Sequence, residues 1–160
     1  MIVDAHREHA SRKNINLQFF SDGSVEMDFV PDFVNKALNN LLANSMKFTP
    51  EGGKVSVRVE KADAEQVRIS VSDNGVWIKP ESLEHIFKPF YQEEGESRLL
   101  GTGVGLALVK QIVSSVKGKI RVESTVGRGT KFIIDVPIKH GDGKWTMLEK
   151  TDSVNVVPEV

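Results

Sequence analysis

Two glycine-containing stretches stand where regular patterns stop, and they constrain this sequence most. Val67–Ser72 alternates apolar and polar side chains, the period of a half-buried strand, and leads directly into Asp73 and Gly75. The run Gly101-Thr102-Gly103-Val104-Gly105-Leu106 opens a helical pattern that continues to Val116. Backbone amides at a helix start that no side chain shields form a seat for an anion. An acidic residue that can hydrogen-bond to a base, combined with a helix start that can bind phosphates, indicates a nucleotide site.

A third stretch, Phe33–Phe48, reads as a helix that stops at Thr49-Pro50-Glu51-Gly52-Gly53. Asn40, Asn44 and Lys47 lie at positions i, i+4 and i+7, so they share one face of this helix. The apolar stripe lies elsewhere, at Ala37, Leu38, Leu41, Leu42 and Ser45. Amide oxygens suit a magnesium ion and a lysine suits phosphate, so the polar face indicates a place for a metal-bound nucleotide.

These stretches resemble the sequence boxes of sensor histidine kinases, and five such boxes stand in the family's order. They are Asn40-Leu41-Leu42-Ala43-Asn44-Ser45-Met46-Lys47-Phe48-Thr49-Pro50 (the N box), Asp73-Asn74-Gly75 (the first glycine box), Ile86-Phe87-Lys88-Pro89-Phe90-Tyr91 (the F box), Gly101-Thr102-Gly103-Val104-Gly105-Leu106 (the second glycine box) and Gly127-Arg128-Gly129-Thr130 (a small glycine box). One box would be a weak signal, but five in order are specific. The chain therefore resembles, from about Ala10 to Pro137, the catalytic ATP-binding domain of two-component histidine kinases, which belongs to the GHKL superfamily.

The resemblance implies an α/β (α+β) two-layer sandwich, the Bergerat or GHKL ATPase fold, with a mixed sheet of about five strands and helices on one face. Alternating helical and strand periods support the same two-layer class. We expect residues 1–13 to be the end of an upstream helix or a linker, residues 14–138 to form the catalytic domain, and residues 139–160 to be a tail or linker. Pro137 is expected to end the fold.

The individual elements follow from periodicity and turn residues. The strands are predicted at Asn14–Phe20, Val25–Phe29, Lys54–Glu60, Val67–Ser72, Lys119–Ser124 and Lys131–Val136, with a short helix at Pro80–Phe87 and a mobile lid over residues 92–100.

The resemblance also implies a role for each matched residue. Asp73 reads the exocyclic amine of adenine, and Thr130 supports it. Asn44 is the magnesium ligand, Asn40 orients phosphate or metal-bound water, and Lys47 contacts phosphate. The further ATP contacts expected are Gly75, Trp77, Ile78, Arg98, Gly101, Thr102, Gly103, Val104, Gly105 and Leu106. The phenylalanines and tyrosine of the F box are expected in the core rather than on the ligand.

The activity implied is that of an autokinase's catalytic half, with ATP and Mg²⁺ as cofactors. Phosphoryl transfer needs positioning and charge neutralisation, and the chain offers no nucleophile of its own. The family's acceptor is a histidine on a separate dimerisation domain of the same parent protein, and a response regulator or receiver domain acts downstream. His6 and His9 lack the acceptor motif, so we interpret them as solvated side chains.

The composition of the chain limits the kinds of partner and site that it can have. The net charge of −1 gives no basic field for nucleic acid, and the absence of cysteine excludes disulfides and thiolate metal sites. The sequence contains neither an apolar run of about 18 residues nor a visible signal peptide. These features fit a cytoplasmic location without direct membrane contact, with any anchor of the parent protein lying outside this chain.

Trp77 departs from the family pattern, which has glycine there, beside adenine. The indole could stack on the base, block it or swing outward. If the loop keeps the family's shape, Trp77 should carry backbone strain and crowd the pocket, and Trp77→Gly should tighten ATP. One alternative function is therefore a nucleotide-poor signalling or interaction module on the same fold. A second is a GHKL ATPase, but those relatives carry a glutamate base where this chain has Asn40, and an amide cannot take a proton from water.

Overall fold

The computed structural model describes residues 2–21, 32–89, 104–141 and 144–147 of the 160-residue chain. The helices are α1 (Ile2–Ala5), α2 (Arg7–Arg12), α3 (Asp32–Phe48) and α4 (Val104–Ser115), with one 3₁₀ helix at Pro80–Ser82. The strands are β1 (Asn16–Ser21), β2 (Lys54–Lys61), β3 (Gln66–Asp73), β4 (Lys119–Thr125), β5 (Gly129–Gly141) and β6 (Lys144–Met147).

Five strands form one mixed sheet in the order β1-β2-β3-β5-β4. β1 runs parallel to β2, whereas the β2–β3, β3–β5 and β4–β5 pairs are antiparallel. β6 lies outside this path and pairs with the end of β5. The predicted mixed sheet of about five strands is therefore confirmed.

One face of this sheet carries the apolar rows that the alternating patterns predict. Val57, Val71 and Phe132 stand opposite one another on β2, β3 and β5, and all three are fully buried. The helices α3 and α4 pack against each other and contact the sheet. Their buried side chains complete the core: Leu38, Leu41, Leu42 and Met46 from α3, and Leu106, Val109 and Val113 from α4. The arrangement is the expected two-layer sandwich.

The last row of that face carries three polar side chains beside one valine. Val55, Asp73, Thr130 and Ser124 stand opposite one another on β2, β3, β5 and β4. Asp73 and Thr130 are buried, with 7% and 3% of their surface exposed. The apolar core thus ends in a row of hydrogen-bonding groups beside the C-terminal end of α3, and this row sets the position of the candidate site.

The N-terminal helices are held against α3. Lys13 Nζ donates to the carbonyl oxygens of Met46 at 2.7 Å and Lys47 at 3.3 Å, which have no acceptor role inside the helix. His6 Nε2 lies 2.8 Å from Asn39 Oδ1, within hydrogen-bonding distance. Ala10 is buried in the core. The predicted helical character of this polar segment is thus found, together with packing that its composition did not indicate.

Two predicted elements differ from the structure. The short helix predicted at Pro80–Phe87 is a single 3₁₀ turn, Pro80–Ser82, followed by hydrogen-bonded turns to Pro89. Pro137 does not end the last strand, because it lies at the final position paired with β3 and beyond the end of β4, where a missing N–H costs little. β5 therefore continues to Gly141 and pairs with β6.

Several expectations fall on residues that the structure does not describe. The strand predicted at Val25–Phe29, the lid over residues 92–100 and the tail beyond Met147 lie outside the described residues. None of the described helices is both long enough and apolar enough to cross a bilayer. The division into residues 1–13, 14–138 and 139–160 stays a prediction.

A pair of glycines in the turn before β5 gives a test of this packing. Gly127 and Gly129 both have positive φ, +78° and +112°. A Cβ on Gly127 would meet nothing within 4 Å, whereas one on Gly129 would overlap the carbonyl oxygen of Asp73 and lie 2.7 Å from Asn74 Cα. Gly127→Ala should cost about 1–2 kcal/mol through its backbone alone, and Gly129→Ala about 3–5 kcal/mol.

Urea denaturation of both variants against the wild-type chain measures the difference. Equal destabilisation by the two substitutions would show that β5 does not approach the end of β3 as closely as described.

Candidate nucleotide-binding site

The loop after β3 is fixed to the elements around it. Asp73 Oδ1 accepts a hydrogen bond from the Gly75 N–H at 3.0 Å. The Asn74 side chain accepts one from the Lys54 N–H at 2.7 Å, and the Val76 N–H donates to the Phe48 carbonyl at 3.2 Å. The loop is therefore tied to the start of β2 and to the last turn of α3.

Gly75 is needed here for space rather than for an unusual turn. A Cβ at this position would lie 2.5 Å from the Phe48 carbonyl oxygen and 2.8 Å from Thr49 Cα. Its φ is not among the positive values of the described glycines, which belong to Gly52, Gly127 and Gly129. Glycine is therefore required at this position by the close approach of the loop to α3, and not by the turn that the sequence predicts.

The polar row of the sheet holds the same loop from the other side. Thr130 Oγ1 donates to the Val76 carbonyl at 3.3 Å, and Ser124 Oγ accepts from the Ile78 N–H at 2.7 Å. Ile78, a predicted contact, is buried with 1% of its surface exposed. Ser124 was not among the predicted site residues. Its only sequence signal is that it occupies, after Ile120 and Val122, the inward position of an alternating strand.

Across the loop, α3 and α4 meet at Asn40. A Cβ on Gly105, in the first turn of α4, would lie 3.4 Å from Asn40 Oδ1, and Asn40 Nδ2 donates to the Lys36 carbonyl at 2.9 Å. The amide oxygen of Asn40 therefore faces the start of α4. This approach places the N box beside the described end of the second glycine box. The roles of Asn40 and Gly105 in nucleotide binding stay predictions.

Asn44, one turn further along α3, has an unusual side chain. Its Nδ2 is buried and has no hydrogen-bond partner within the described part of the chain. A buried polar atom without a partner is costly, and in native proteins it commonly points to a ligand or an ion. A 180° rotation of the amide exchanges Nδ2 with Oδ1, so this side chain can offer a donor to an anion or an oxygen to a cation.

The other predicted residues fall into three groups. Lys47 is exposed, and its Nζ lies 5.4 Å from the centre of the Phe48 ring. Leu106 is buried in the core, and Val104 begins α4. Arg98, Gly101, Thr102 and Gly103 lie outside the described residues.

The described part of the F box belongs to the core. Phe87 packs edge-on against Phe132, with ring centres 6.3 Å apart. This agrees with the expectation that its aromatic residues pack rather than bind ligand, while Phe90 and Tyr91 lie outside the described residues.

Metal-binding side chains of the usual kinds do not cluster here. Across the described segments, His, Asp and Glu form no group of three that could hold a metal ion. A metal in this site would therefore depend on the amide of Asn44 and on oxygens of the bound nucleotide.

Trp77 adopts an ordinary backbone. Among the non-glycine residues described, only Asn14 and Lys117 have positive φ, so the strain expected at Trp77 is not found. Its half-buried indole lines an open groove of about 510 Å³ that also includes the loop after Asp73; the other lining residues are Pro50, Asn74, Gly75, Val76, Lys79 and Gly127. Asn40, Asn44 and Asp73 do not line this groove. The two neighbours of Trp77 account for its ordinary backbone. The N–H of Val76 and the N–H of Ile78 each donate a hydrogen bond that fixes the chain on either side.

Comparison with known proteins places this geometry in a family. The sequence profile of the histidine kinase-, DNA gyrase B- and HSP90-like ATPases matches residues 29–140. The non-motile and phage-resistance protein of Caulobacter vibrioides is 36% identical over 146 residues, which are 88% of this chain and 17% of that protein. The sensor histidine kinase AruS of Pseudomonas aeruginosa is 43% identical over 112 residues, which are 66% of this chain and 11% of AruS. The chain thus spans a sixth or less of each relative's length.

Solved structures give the same result. The nucleotide-free catalytic domain of histidine kinase ThkA matches with a TM-score of 0.71 and 29% identity, over 85% of this chain and 88% of that one. Full-length ShkA in complex with AMPPNP matches with a TM-score of 0.73 and 26% identity, over 84% of this chain and 28% of ShkA. ThkA in complex with the response regulator TrrA matches with a TM-score of 0.67 and 29% identity, over 85% of this chain and 38% of ThkA.

The profile covers most of the chain, the boxes stand in order, and the fold is that of histidine kinase catalytic domains. The protein is a member of the family of histidine kinase-, DNA gyrase B- and HSP90-like ATPases, of the sensor histidine kinase kind.

Proposed function

We propose that this chain binds ATP with Mg²⁺ between α3, α4 and the end of β3, and transfers the γ-phosphate to a histidine on a separate dimerisation domain of the same parent protein. The observation that carries the proposal is the pair of amides on α3. Asn40 faces Gly105 at the start of α4, and one turn further along α3 the Nδ2 atom of Asn44 is buried and has no hydrogen-bond partner among the described residues.

The base end of the proposed site is the carboxylate of Asp73. Adenine presents an exocyclic amine, which donates hydrogen bonds, where guanine presents a carbonyl oxygen. Asp73 lies at the end of a strand, largely buried, with one oxygen engaged by the Gly75 N–H. A carboxylate held in this way accepts from adenine and repels the corresponding atom of guanine.

The phosphate end combines the start of α4 with the polar face of α3. Gly105 places no side chain between the start of α4 and the Asn40 amide, and backbone amides of a helix start attract anions. In this proposal Asn44 supplies an oxygen to Mg²⁺, and the exposed side chain of Lys47 extends toward a phosphate group. Arg98, Gly101, Thr102 and Gly103 complete the phosphate contacts, and their assignment follows from the matching boxes.

The acceptor for the phosphoryl group must come from outside this chain. In the transfer, the bond between the γ-phosphorus and the β–γ bridging oxygen breaks, a bond to an imidazole nitrogen forms, and ADP leaves. His9 is exposed on α2, and His6 contacts Asn39 on α3. Neither lies in the acceptor motif. A histidine on the dimerisation domain, and then a response regulator or receiver domain, are the proposed partners; ThkA, a similar kinase, has been solved with its response regulator.

Neither alternative function has comparable support. A GHKL ATPase needs a base for water, and Asn40 offers only an amide. A nucleotide-poor module would follow from an indole that blocks the base; the backbone φ of Trp77 is ordinary, and the relatives are sensor histidine kinases, which favours the kinase. We further propose that the domain works in the cytoplasm, with any membrane anchor of the parent protein outside this chain.

The first prediction concerns Asp73. Asp73→Asn should weaken ATP binding by about 1.5–3 kcal/mol, because a charge-assisted acceptor is replaced by a neutral amide. Asp63→Asn is a matched control, because Asp63 Oδ1 accepts from the Glu65 N–H at 2.8 Å in the same local geometry, in the β2–β3 turn. Calorimetric titration of ATP with Mg²⁺ measures both variants.

The α3 face is tested in the same titration. Asn44→Ala should reduce the gain in affinity that Mg²⁺ gives, whereas Asn39→Ala, an exposed amide on the same helix, should leave it unchanged. Wild-type affinity in both Asp73→Asn and Asn44→Ala, with the fold intact, would refute the site assignment.

The second prediction concerns the acceptor. Incubated alone with γ-labelled ATP, the chain should take up no acid-labile label, because it lacks an acceptor histidine. With the dimerisation domain of its parent protein it should label that domain, and Asn44→Ala should lower the rate at least tenfold. Label on this chain alone would contradict the proposal, and mapping it to His6 or His9 would identify the acceptor.

The third prediction concerns Trp77, which we assign to the site through its backbone rather than its indole. Because no left-handed backbone is relieved and the indole lines a groove to which Asn40, Asn44 and Asp73 do not contribute, Trp77→Gly should change the Kd for ATP by no more than about twofold, or about 0.4 kcal/mol. Trp77→Ala removes the indole without adding glycine flexibility and serves as its control. Tenfold tighter binding in both variants would show that the indole crowds the base, and tenfold weaker binding that it stacks on it.

A further inference from the structure

We propose that Ser124 is a positioning residue for base recognition, which holds the segment Val76–Ile78 and thereby sets the preference of the site for adenine over guanine. The proposal rests on the proposed function. It concerns a residue on β4, two strands away from Asp73, that belongs to none of the five sequence boxes.

The Ser124 hydroxyl is the centre of a small hydrogen-bond network. It accepts from the Ile78 N–H at 2.7 Å and donates to the Gly129 carbonyl at 3.1 Å. Its oxygen also lies 3.1 Å from Thr130 Oγ1. A single group that accepts and donates at once is needed here, and among the side chains of this size only a hydroxyl does both.

This network determines where the loop after Asp73 can lie. Val76 is held at its N–H by the Phe48 carbonyl and at its own carbonyl by Thr130. Ile78, two residues later, is held by Ser124. The segment is thus fixed at both ends against α3 and against the polar row of the sheet, and it continues directly from Gly75, whose N–H engages the Asp73 carboxylate.

Loss of the hydroxyl would release one end only. Ile78 is buried, so its N–H would be left without a partner unless the segment moved toward water. The change can reach Asp73 through Thr130, which stands opposite Asp73, lies 3.1 Å from the Ser124 hydroxyl and holds the Val76 carbonyl. Since adenine and guanine differ at the atom that this carboxylate meets, a loosened loop should discriminate less between them.

The test compares Ser124→Ala with Ser115→Ala. Ser115 is a matched control, because it is also half-buried and its hydroxyl also donates to a carbonyl, that of Ile112 at 2.6 Å, but at the far end of α4. The Kd values for ADP and for GDP, each with Mg²⁺, are measured by calorimetry on the whole 160-residue chain. Ser124→Ala should lower the ratio of GDP to ADP Kd by about tenfold, and Ser115→Ala should leave it unchanged.

Two further measurements separate positioning from general stability. Ser124→Thr keeps the hydroxyl and should restore the ratio, and amide exchange at Ile78 should accelerate in Ser124→Ala only. If Ser124→Ala does not fold, the near-isosteric Ser124→Cys, whose sulfur is a poor acceptor, takes its place with the same expectation.

The outcomes are distinct. A wild-type chain that binds neither nucleotide overturns the proposed function and this inference with it. The inference alone is overturned if the wild-type chain prefers ADP and a folded Ser124→Ala or Ser124→Cys variant keeps the wild-type ratio of GDP to ADP Kd.

Discussion

At the end of β3 the backbone passes within contact distance of two other segments, and no side chain fits between them. Gly75 lies against the last turn of α3, and Gly129, at the start of β5, lies against Asp73 and Asn74. Backbone atoms at this distance exclude even a methyl group, so the position of the loop is set by hard contacts. The hydrogen bonds of Asp73, Asn74 and Val76 can form because this packing brings their partners within reach.

This constraint gives a buried carboxylate a fixed place in an otherwise apolar core. Asp73 belongs to the same helix-facing side of the sheet as Val71 and Ile69, but it stands in the last row, beside Thr130 and Ser124. A carboxylate is tolerated there because it accepts a hydrogen bond from the Gly75 N–H. The same row closes the core with hydrogen-bonded polar groups, and it presents an acceptor beside the last turn of α3.

The helix α3 connects this edge to the rest of the chain. Its inward face carries Leu38, Leu41 and Leu42 into the core, while Asn40 faces α4. On its other side, Lys13 binds the carbonyls of its last turn. Residues before α3 and residues of the candidate site thus touch the same helix.

Much of this could be predicted from the sequence, because periodicity and turn residues are local. The spacing of Asn40, Asn44 and Lys47 gave the polar face of α3, and strict alternation gave β2 and β3 nearly to the residue. The features that could not be predicted depend on distances between segments that are far apart in the sequence. Ser124 gains its importance only from lying opposite Thr130, and β5 extends past Pro137 only because β6 pairs with it there. The ordinary backbone of Trp77 likewise follows from the bonds that fix its two neighbours, which no local pattern reveals.

The central claim is that the amides of α3 and the start of α4 surround the phosphates and metal of one bound nucleotide. The most direct test is a nuclear magnetic resonance titration of the ¹⁵N-labelled chain with Mg²⁺–ATP, followed by replacement of a small fraction of the Mg²⁺ by paramagnetic Mn²⁺. The account predicts that resonances broaden most at the side-chain amide of Asn44, next at Asn40 and Gly105, and much less at the Trp77 indole. Broadening centred on another part of the chain, with the Asn44 amide unaffected at saturating ATP, would contradict it.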